Sequence, residues 1–172
     1  MKALFCIIIL FISASTFGQA TSGTVTFTIT TIDNERKYSP DHVLAIWVEN
    51  ETGNFVKTLQ MQGTRRQKHL ETWIAQSGGN TVDAVTGPTL RDHTSHTVIW
   101  NCKDTTGNVV KDGQYQIVTE YTDENKQGPI QKVTFTKGAR AVKLNPANQP
   151  LFTDMKLVYT PGNVTGLLQQ KR

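Results

Sequence analysis

The feature of this chain that most constrains its fold is a two-residue alternation of apolar and polar side chains. Near the N-terminus Val25, Phe27 and Ile29 alternate with threonines. A period of two is the pattern of a half-buried β-strand, and β-branched residues such as threonine favour that conformation. Similar short runs recur along the chain and are separated by turn residues. The sequence therefore predicts a mainly β fold, an immunoglobulin-like β-sandwich of about seven strands.

Two other patterns locate the parts of this sandwich. In the run 43–48 both the odd and the even positions are apolar, which predicts a central strand covered on both faces. Turn residues follow it and lead into a second strand at 55–61, so the two are predicted to form a hairpin. Leu70, Trp73 and Ile74 fall at helical spacing and are followed by a Gly-Gly pair, which predicts one short helix. Further strands are expected at 97–100, 115–121, 132–135 and 155–159.

The N-terminal residues have the composition of a secretory signal peptide. Lys2 precedes an apolar run at 3–12, and small and polar residues follow it. This run is too short to cross a bilayer core of roughly 30 Å, so we expect no membrane span in the mature chain. We predict a signal peptide at 1–20, cleaved after Gly18 or Ala20, a sandwich domain at 21–160 and a flexible tail at 161–172. The expected location is the periplasm or the extracellular medium.

Composition limits the classes of partner. The chain has 172 residues and a net charge of +4, and its basic residues are scattered except for Arg65, Arg66 and Lys68. Such a small basic group does not predict a nucleic-acid partner. The chain has two cysteines, and loss of Cys6 with the signal peptide leaves Cys102 alone, so we expect a domain without an internal disulfide and a small, partly buried Cys102.

One connection is longer than the turns that usually join the strands of a β-sandwich. Residues 77–94 form a long connection without periodicity, rich in Gly, Thr and Asp. Loops longer than roughly 12–15 residues in a compact domain usually carry function. We therefore predict that this loop and the helix beside it form the interaction surface.

Several segments resemble, in this order, a bacterial family of predicted periplasmic proteins of unknown function. The resemblance spans roughly 43–129 and implies an extracytoplasmic bacterial protein, but it implies no reaction. The segments that carry it are 47–49 (WVE), 55–59 (FVKTL), 68–73 (KHLETW), 83–89 (DAVTGPT) and 100–115.

A narrower resemblance overlaps the last of these segments. Residues 100–115 are similar to the W-D-G-x-D-x-x-G-x-x-V-x-x-G-x-Y hairpin of immunoglobulin-like modules in flagellar hook-capping proteins. Asn101 and Cys102 stand where that motif has Asp and Gly. The resemblance implies a hairpin in which Trp100 and Tyr115 pack inward.

The run 83–89 also resembles the D-x-x-S/T-G-A-T motif at which flavin transferases attach FMN to threonine. This resemblance implies Thr89 as the acceptor, Thr86 and Gly87 as the residues that shape the turn, and Asp83 as the residue that positions it. Pro88 replaces the alanine of the motif and restricts the conformation of the preceding glycine. The alternative is a capped turn in which Asp83 and Thr86 bond neighbouring backbone groups.

The histidines suggest a metal site only under one condition. His93 and His96 lie three residues apart, with Asp92 adjacent, and His69 lies on the predicted helix. Residues three apart on a strand point to opposite faces, so His93 and His96 can bind the same metal ion only if His93 is still in the loop. A structural zinc site usually needs four cysteine or histidine ligands, and this chain offers one thiol and scattered imidazoles. We therefore expect surface or edge histidines and no metal site.

Motifs of common enzyme classes are missing from the sequence. It contains no G-x-S-x-G elbow, no G-x-x-x-x-G-K loop and no H-E-x-x-H, and Trp47, Trp73 and Trp100 follow apolar patterns that place them in the core. We therefore predict a non-enzymatic binding or accessory protein of the periplasm, without a cofactor, that binds an unknown protein partner or small ligand. The alternative is an extracytoplasmic electron-transfer partner with covalent FMN on Thr89.

Overall fold

The computed structural model describes residues 18–162, which form nine strands in two sheets. This confirms the predicted mainly β sandwich, while its immunoglobulin-like subclass stays a prediction. In chain order the strands are β1 (Gly23–Thr31), β2 (Val43–Asn50), β3 (Phe55–Gln62), β4 (Val85–Gly87), β5 (Ser95–Trp100), β6 (Gly113–Thr122), β7 (Ile130–Lys137), β8 (Val142–Leu144) and β9 (Phe152–Pro161).

The two sheets have the strand orders β5–β1–β9–β8 and β4–β3–β2–β6–β7. All the pairings are antiparallel except that of β3 with β4, which is parallel. The short strands β4 and β8 were not predicted. The edge strands β4 and β5 belong to different sheets, and β5 packs near β3, so the two edges lie on the same side of the sandwich.

The core between the sheets uses the alternating residues of β1. Val25, Phe27 and Ile29 are at most 1% exposed, as the pattern predicted. Tyr115 of the opposite sheet packs near them, and its ring centroid lies 5.3 Å from that of Trp100 on β5, the neighbour of β1. Burial of these apolar surfaces from two sheets supplies the main stabilisation of the fold.

Strand β2 is central and buried on both faces, as predicted. One face contributes Leu44, Ile46 and Val48 to the core between the sheets. The other face packs Trp47 with Trp73 of the helix α1 (Glu71–Ser77). The helix therefore acts as a cover for the outer face of the five-stranded sheet, which explains why β2 lacks alternation.

The short helix α1 is held at its N-terminus by a carboxylate from the sheet. Glu120 on β6 accepts hydrogen bonds from the backbone N–H groups of Thr72 at 3.3 Å and Trp73 at 2.8 Å. Carboxylates stabilise helix N-termini because the first N–H groups have no partner within the helix. A 3-10 helix (Thr64–His69), which was not predicted, leads into α1, and Gly78 ends α1 at φ +60°.

The predicted hairpin from Trp100 to Tyr115 is wrong. Strands β5 and β6 lie in different sheets, so this connection crosses between the sheets. The turn within it is tight, because Asp104 accepts backbone hydrogen bonds from Thr106 and Asn108. Cys102 is fully buried and has a φ of +58°, a conformation that glycine, the residue of the similar motif, adopts more readily.

The predicted signal peptide lies mostly outside the described residues, as does most of the predicted tail. At the boundary, Pro161 ends β9, and the Gly162 N–H donates to the Ser22 carbonyl at 2.7 Å. Neither described helix has the length and apolar character that crossing a membrane requires.

Candidate functional site

The segment 77–94 is more ordered than the prediction of a long loop allowed. The prediction is wrong over Val85–Gly87, which form β4 and pair in parallel with the end of β3. Val85 and Thr86 are both exposed, so the strand carries no alternation of buried and exposed residues that the sequence could reveal. Strand β4 is one edge of the five-stranded sheet and presents the D-A-V-T-G-P-T run at the surface.

Asp83 lies before β4 and is fixed by a lysine. Its carboxylate accepts a hydrogen bond from Lys57 Nζ at 2.9 Å, and its φ is +57°. The Lys57 side chain is 8% exposed, whereas that of Asp83 is 72% exposed. The turn here is capped by Asn80, whose side chain accepts from the Val82 N–H at 3.0 Å. Asn80 thus supplies a side-chain cap to this turn, while the Asp83 carboxylate pairs with Lys57.

Gly87 ends β4 where two backbones pack closely. The Gly87 carbonyl accepts a hydrogen bond from the Gly63 N–H at 2.9 Å. A Cβ at position 87 would collide with the side-chain oxygen of Gln62, whose residue is 8% exposed. A side chain at position 87 therefore requires the Gln62 side chain on β3 to shift, a constraint that the motif alone does not give.

Thr89 lies in a hollow beside two arginines. Its lining includes Gly87, Pro88, Thr89, Arg65 and Arg91, around a volume of about 710 Å³. Thr89 is half-buried. The hollow therefore combines a hydroxyl with two permanent positive charges, which suits an anionic phosphate group.

The predicted flavin-site residues do not all converge. Gly87 and Thr89 share the arginine hollow, whereas Asp83 lines a different groove at the other end of β4. The Thr86 side chain is exposed on the strand between them. The structure thus brings two of the four residues together and separates Asp83 from the acceptor threonine.

The second groove lies between the edges of the two sheets. It has a volume of about 700 Å³ and combines the Lys57–Asp83 ion pair with Val85 of β4 and Ile99 of β5. Val85 is 65% exposed and Ile99 is 68% exposed. Exposed apolar side chains on two neighbouring sheet edges are typical of a surface that binds another chain.

A cluster of histidines lies at one end of the sandwich. His93 precedes β5 and is still in the loop, which meets the condition for a shared site. Its ring stacks on that of His42, with centroids 3.9 Å apart and an interplanar angle of 7°. His96 lies on the edge strand β5, which agrees with the predicted surface or edge position, and its side chain is buried. His69 ends the 3-10 helix and is not part of the His42–His93 stack.

His42 was missed because nothing in the sequence links it to His93. It directly precedes β2, and its backbone exchanges hydrogen bonds with Leu90 at 3.0 and 2.9 Å. This bridge between distant segments brings the two rings together. The one signal in the sequence is the position of His42 next to a fully apolar strand, which indicates a buried imidazole.

The imidazoles of the cluster are largely desolvated. Burial lowers the pKa of His93 and of His96 to about 4, and it also lowers the pKa of His42. Within residues 18–162, the Nε2 atoms of these three histidines are buried and have no hydrogen-bond partner. A ring nitrogen of His93 and carboxylate oxygens of Asp33 and Asp123 lie within 4.8 Å of one another. Neutral imidazoles and carboxylates in this arrangement can act as metal ligands.

The fold and these surfaces define a β-sandwich protein that presents a cationic hollow and an apolar groove along its sheet edges. The chain belongs to the family described as predicted periplasmic protein (DUF2271), whose model matches residues 22–149. This membership confirms the resemblance to a periplasmic family of unknown function and the predicted location. Comparison with curated proteins and with solved structures gives no match.

Proposed function

We propose that the protein is a non-enzymatic accessory protein of the periplasm that carries FMN covalently on Thr89 and serves in electron transfer. The observation that supports this most is the position of Thr89, which lies two residues after an edge strand and lines a hollow with two arginines. FMN supplies the redox chemistry, and the chain supplies its attachment and surroundings.

Access to the hydroxyl is the first requirement of attachment. Strand β4 is only three residues long and lies at the edge of its sheet, and Pro88 begins the turn that follows it. Because one short edge strand and the two backbone hydrogen bonds between His42 and Leu90 hold this segment, a transferase opens few bonds when it lifts the segment into its own active site. The exposed Asp83 carboxylate is then available as a recognition group for the transferase.

Charge is the second requirement. Attachment joins the phosphate of FMN to Thr89 Oγ; with FAD as donor, the threonine oxygen attacks phosphorus, AMP leaves and the hydroxyl proton is released. The phosphodiester that results keeps one negative charge. Arg65 and Arg91 are placed to balance it, and the surface ion pair between Arg91 and Asp41, at 3.1 Å, is weak enough to be exchanged. The hollow of about 710 Å³ is within the size range of cofactor sites.

Co-expression with a flavin transferase tests this proposal by intact mass and visible absorbance. We expect the wild-type chain and the conservative variant Thr89→Ser to gain the mass of one attached FMN. Thr89→Ala should gain none, whereas Thr94→Ala, which changes an exposed threonine of the same connection outside the motif, should still be modified. An unmodified wild-type chain, in cells where a control substrate is modified, would contradict the proposal.

The proline that replaces the alanine of the motif allows a second test in the same co-expression experiment. Pro88→Ala restores the alanine of the motif without changing the acceptor. We expect modification of both the wild-type chain and this variant. Modification of Pro88→Ala alone would mean that the natural sequence is not a substrate, which also contradicts the proposal.

A second candidate function is binding of an extended segment of another periplasmic protein in the groove between the sheet edges. The exposed Val85 and Ile99 side chains and the Lys57–Asp83 ion pair line this groove, and β5 has a free edge along which a further strand can pair. Addition of a strand to a sheet edge is a common mode of peptide recognition. It would make the protein a binding module whether or not it carries FMN.

Site-specific photo-crosslinking in the native periplasm tests the second candidate. A photoreactive residue at Ile99 should capture one discrete partner, and Val85→Glu should abolish that capture. The matched control is the same residue at Lys143, which is exposed on β8 at the opposite edge of the sheet. Equal capture from both positions, or no effect of Val85→Glu, would contradict the groove as a binding surface.

A further inference from the structure

Four segments of the chain converge at the end of the sandwich that holds the stacked histidines. Asp33 follows β1, His42 precedes β2, His93 precedes β5 and Asp123 follows β6. The carboxylate oxygens of Asp33 and Asp123 and a ring nitrogen of His93 lie within 4.8 Å of one another. Because β1 and β6 belong to different sheets, a group bound here would connect the two layers.

His42 packs against the site and is in a defined tautomeric state. Its Nδ1 lies 2.9 Å from the Pro40 carbonyl, which can only accept, so the proton is on Nδ1 and the lone pair is on Nε2. The ring is 1% exposed and lies parallel to that of His93, with centroids 3.9 Å apart. His42 therefore fixes the orientation of the His93 ring and adds no positive charge beside the two carboxylates.

The surroundings of His93 complete the arrangement. Its Nδ1 lies 3.1 Å from Thr31 Oγ1, and its Nε2 is buried without a partner in the same described range. Tyr121 packs edge-on against both rings and donates its hydroxyl proton to the Ile32 carbonyl, so it holds the rings in place and is not a donor to the site. An unpaired buried acceptor is unfavourable, and a cation bound to His93 removes that cost for this ring.

We propose that Asp33, His93 and Asp123 bind one divalent transition-metal ion that joins the ends of the two sheets. The donors are one imidazole and two carboxylates, a set that suits Zn²⁺ and similar first-row ions and leaves a fourth position to water. The two negative charges of the carboxylates balance the charge of the ion. The site is separate from the flavin proposal, because it involves neither Thr89 nor its two arginines.

Titration of the chelator-treated mature chain with Zn²⁺, made in cells without a flavin transferase, tests the site. We expect one equivalent to bind and to raise the melting temperature, since an ion that binds only the folded state stabilises it. Asp33→Asn and His93→Gln should each weaken binding by at least about tenfold and abolish the rise. The control is His69→Gln, which changes a histidine outside the cluster and should bind as the wild type does.

Folding of the variants is checked first, without metal, by circular dichroism and melting. Asp33 is exposed, so Asp33→Asn should melt close to the wild type and keep the test interpretable even if His93→Gln is less stable. Failure of the wild type to bind a stoichiometric ion would overturn the proposal. So would equal loss of binding in His69→Gln, or undiminished binding in Asp33→Asn. None of these outcomes depends on whether Thr89 carries FMN.

Discussion

Lys137 Nζ donates a hydrogen bond to Asp112 Oδ1 at 2.6 Å, and the Lys137 side chain is completely buried. The same ammonium also donates to the Val110 carbonyl at 2.9 Å. On the other side, Thr21 donates its backbone N–H and its hydroxyl to the Asp112 carboxylate, at 2.8 and 2.6 Å. This pair therefore connects the N-terminal end of the sandwich to β6 and β7.

Removing the carboxylate of this pair should lower the free energy of unfolding more than removing the ammonium does. Asp112→Ala leaves a buried lysine charge without a counter-ion, and we expect a loss of about 3–5 kcal/mol in the free energy of unfolding. Lys137→Met leaves a carboxylate that is 19% exposed and keeps its bonds from Thr21, so we expect a smaller loss of about 1–3 kcal/mol. Urea unfolding of both variants measures the difference. An Asp112→Ala variant as stable as Lys137→Met would contradict this assignment.

The same carboxylate should contribute to acid sensitivity. Burial by itself raises the pKa of Asp112, but the hydrogen bonds from Lys137 and Thr21 outweigh it and hold the pKa below the ordinary value of 3.8. The unfolded chain thus binds the proton more readily than the folded chain does. The stability that Asp112 contributes is present above pH 3.8 and is lost as the pH falls through its folded pKa. Unfolding free energies measured from neutral to acidic pH should fall less steeply at the acid end in Asp112→Asn than in the wild type.

Glu120 should stabilise the helix that covers β2. Glu120→Ala removes the acceptor for two N–H groups of α1, so we expect a loss of about 2 kcal/mol. Glu120→Gln keeps a side-chain oxygen in the same place and should retain a larger part of the stability. Equilibrium unfolding, followed by tryptophan fluorescence because Trp73 is on this helix, compares the two. Equal stability of the alanine variant and the wild type would show that the helix does not need this cap.

Gly87 should be intolerant of even one methyl group, because of the Gln62 side chain beside it. We expect Gly87→Ala to cost about 1–3 kcal/mol through this collision. The double variant Gly87→Ala/Gln62→Ala removes the colliding atoms, so the two effects should be clearly non-additive. Thermal or urea unfolding of the four chains of this cycle measures the coupling. Additive effects would mean that the glycine is needed for another reason.

The strands with a buried and an exposed face were predictable because one physical cause, burial of one face, produces their period of two. Strand β1 shows this alternation. Strand β2 does not alternate, and its central position was predicted from that difference. Strand β4 escaped prediction because Val85 and Thr86 are both exposed and its parallel pairing with β3 leaves no trace in local sequence.

The candidate sites depend more on contacts between distant segments. The acceptor Thr89 was predicted from a motif, but its arginine neighbours were not, since Arg65 lies 24 positions earlier in the chain. The stacking of His42 on His93 depends on a backbone bridge between His42 and Leu90 that has no local signature. Sequence reasoning therefore identified individual side chains, whereas the tertiary fold determined which of them meet.

The intact mass of the protein purified from the periplasm of its natural host tests the central proposal most directly. We predict the mass of the processed chain plus one FMN attached as a phosphoester. Fragmentation of the tryptic peptide 69–91 should place that group on Thr89 and not on Thr86. A processed chain without added mass, isolated while flavin transferase is active in the same cells, would contradict the assignment of this protein as a flavin carrier.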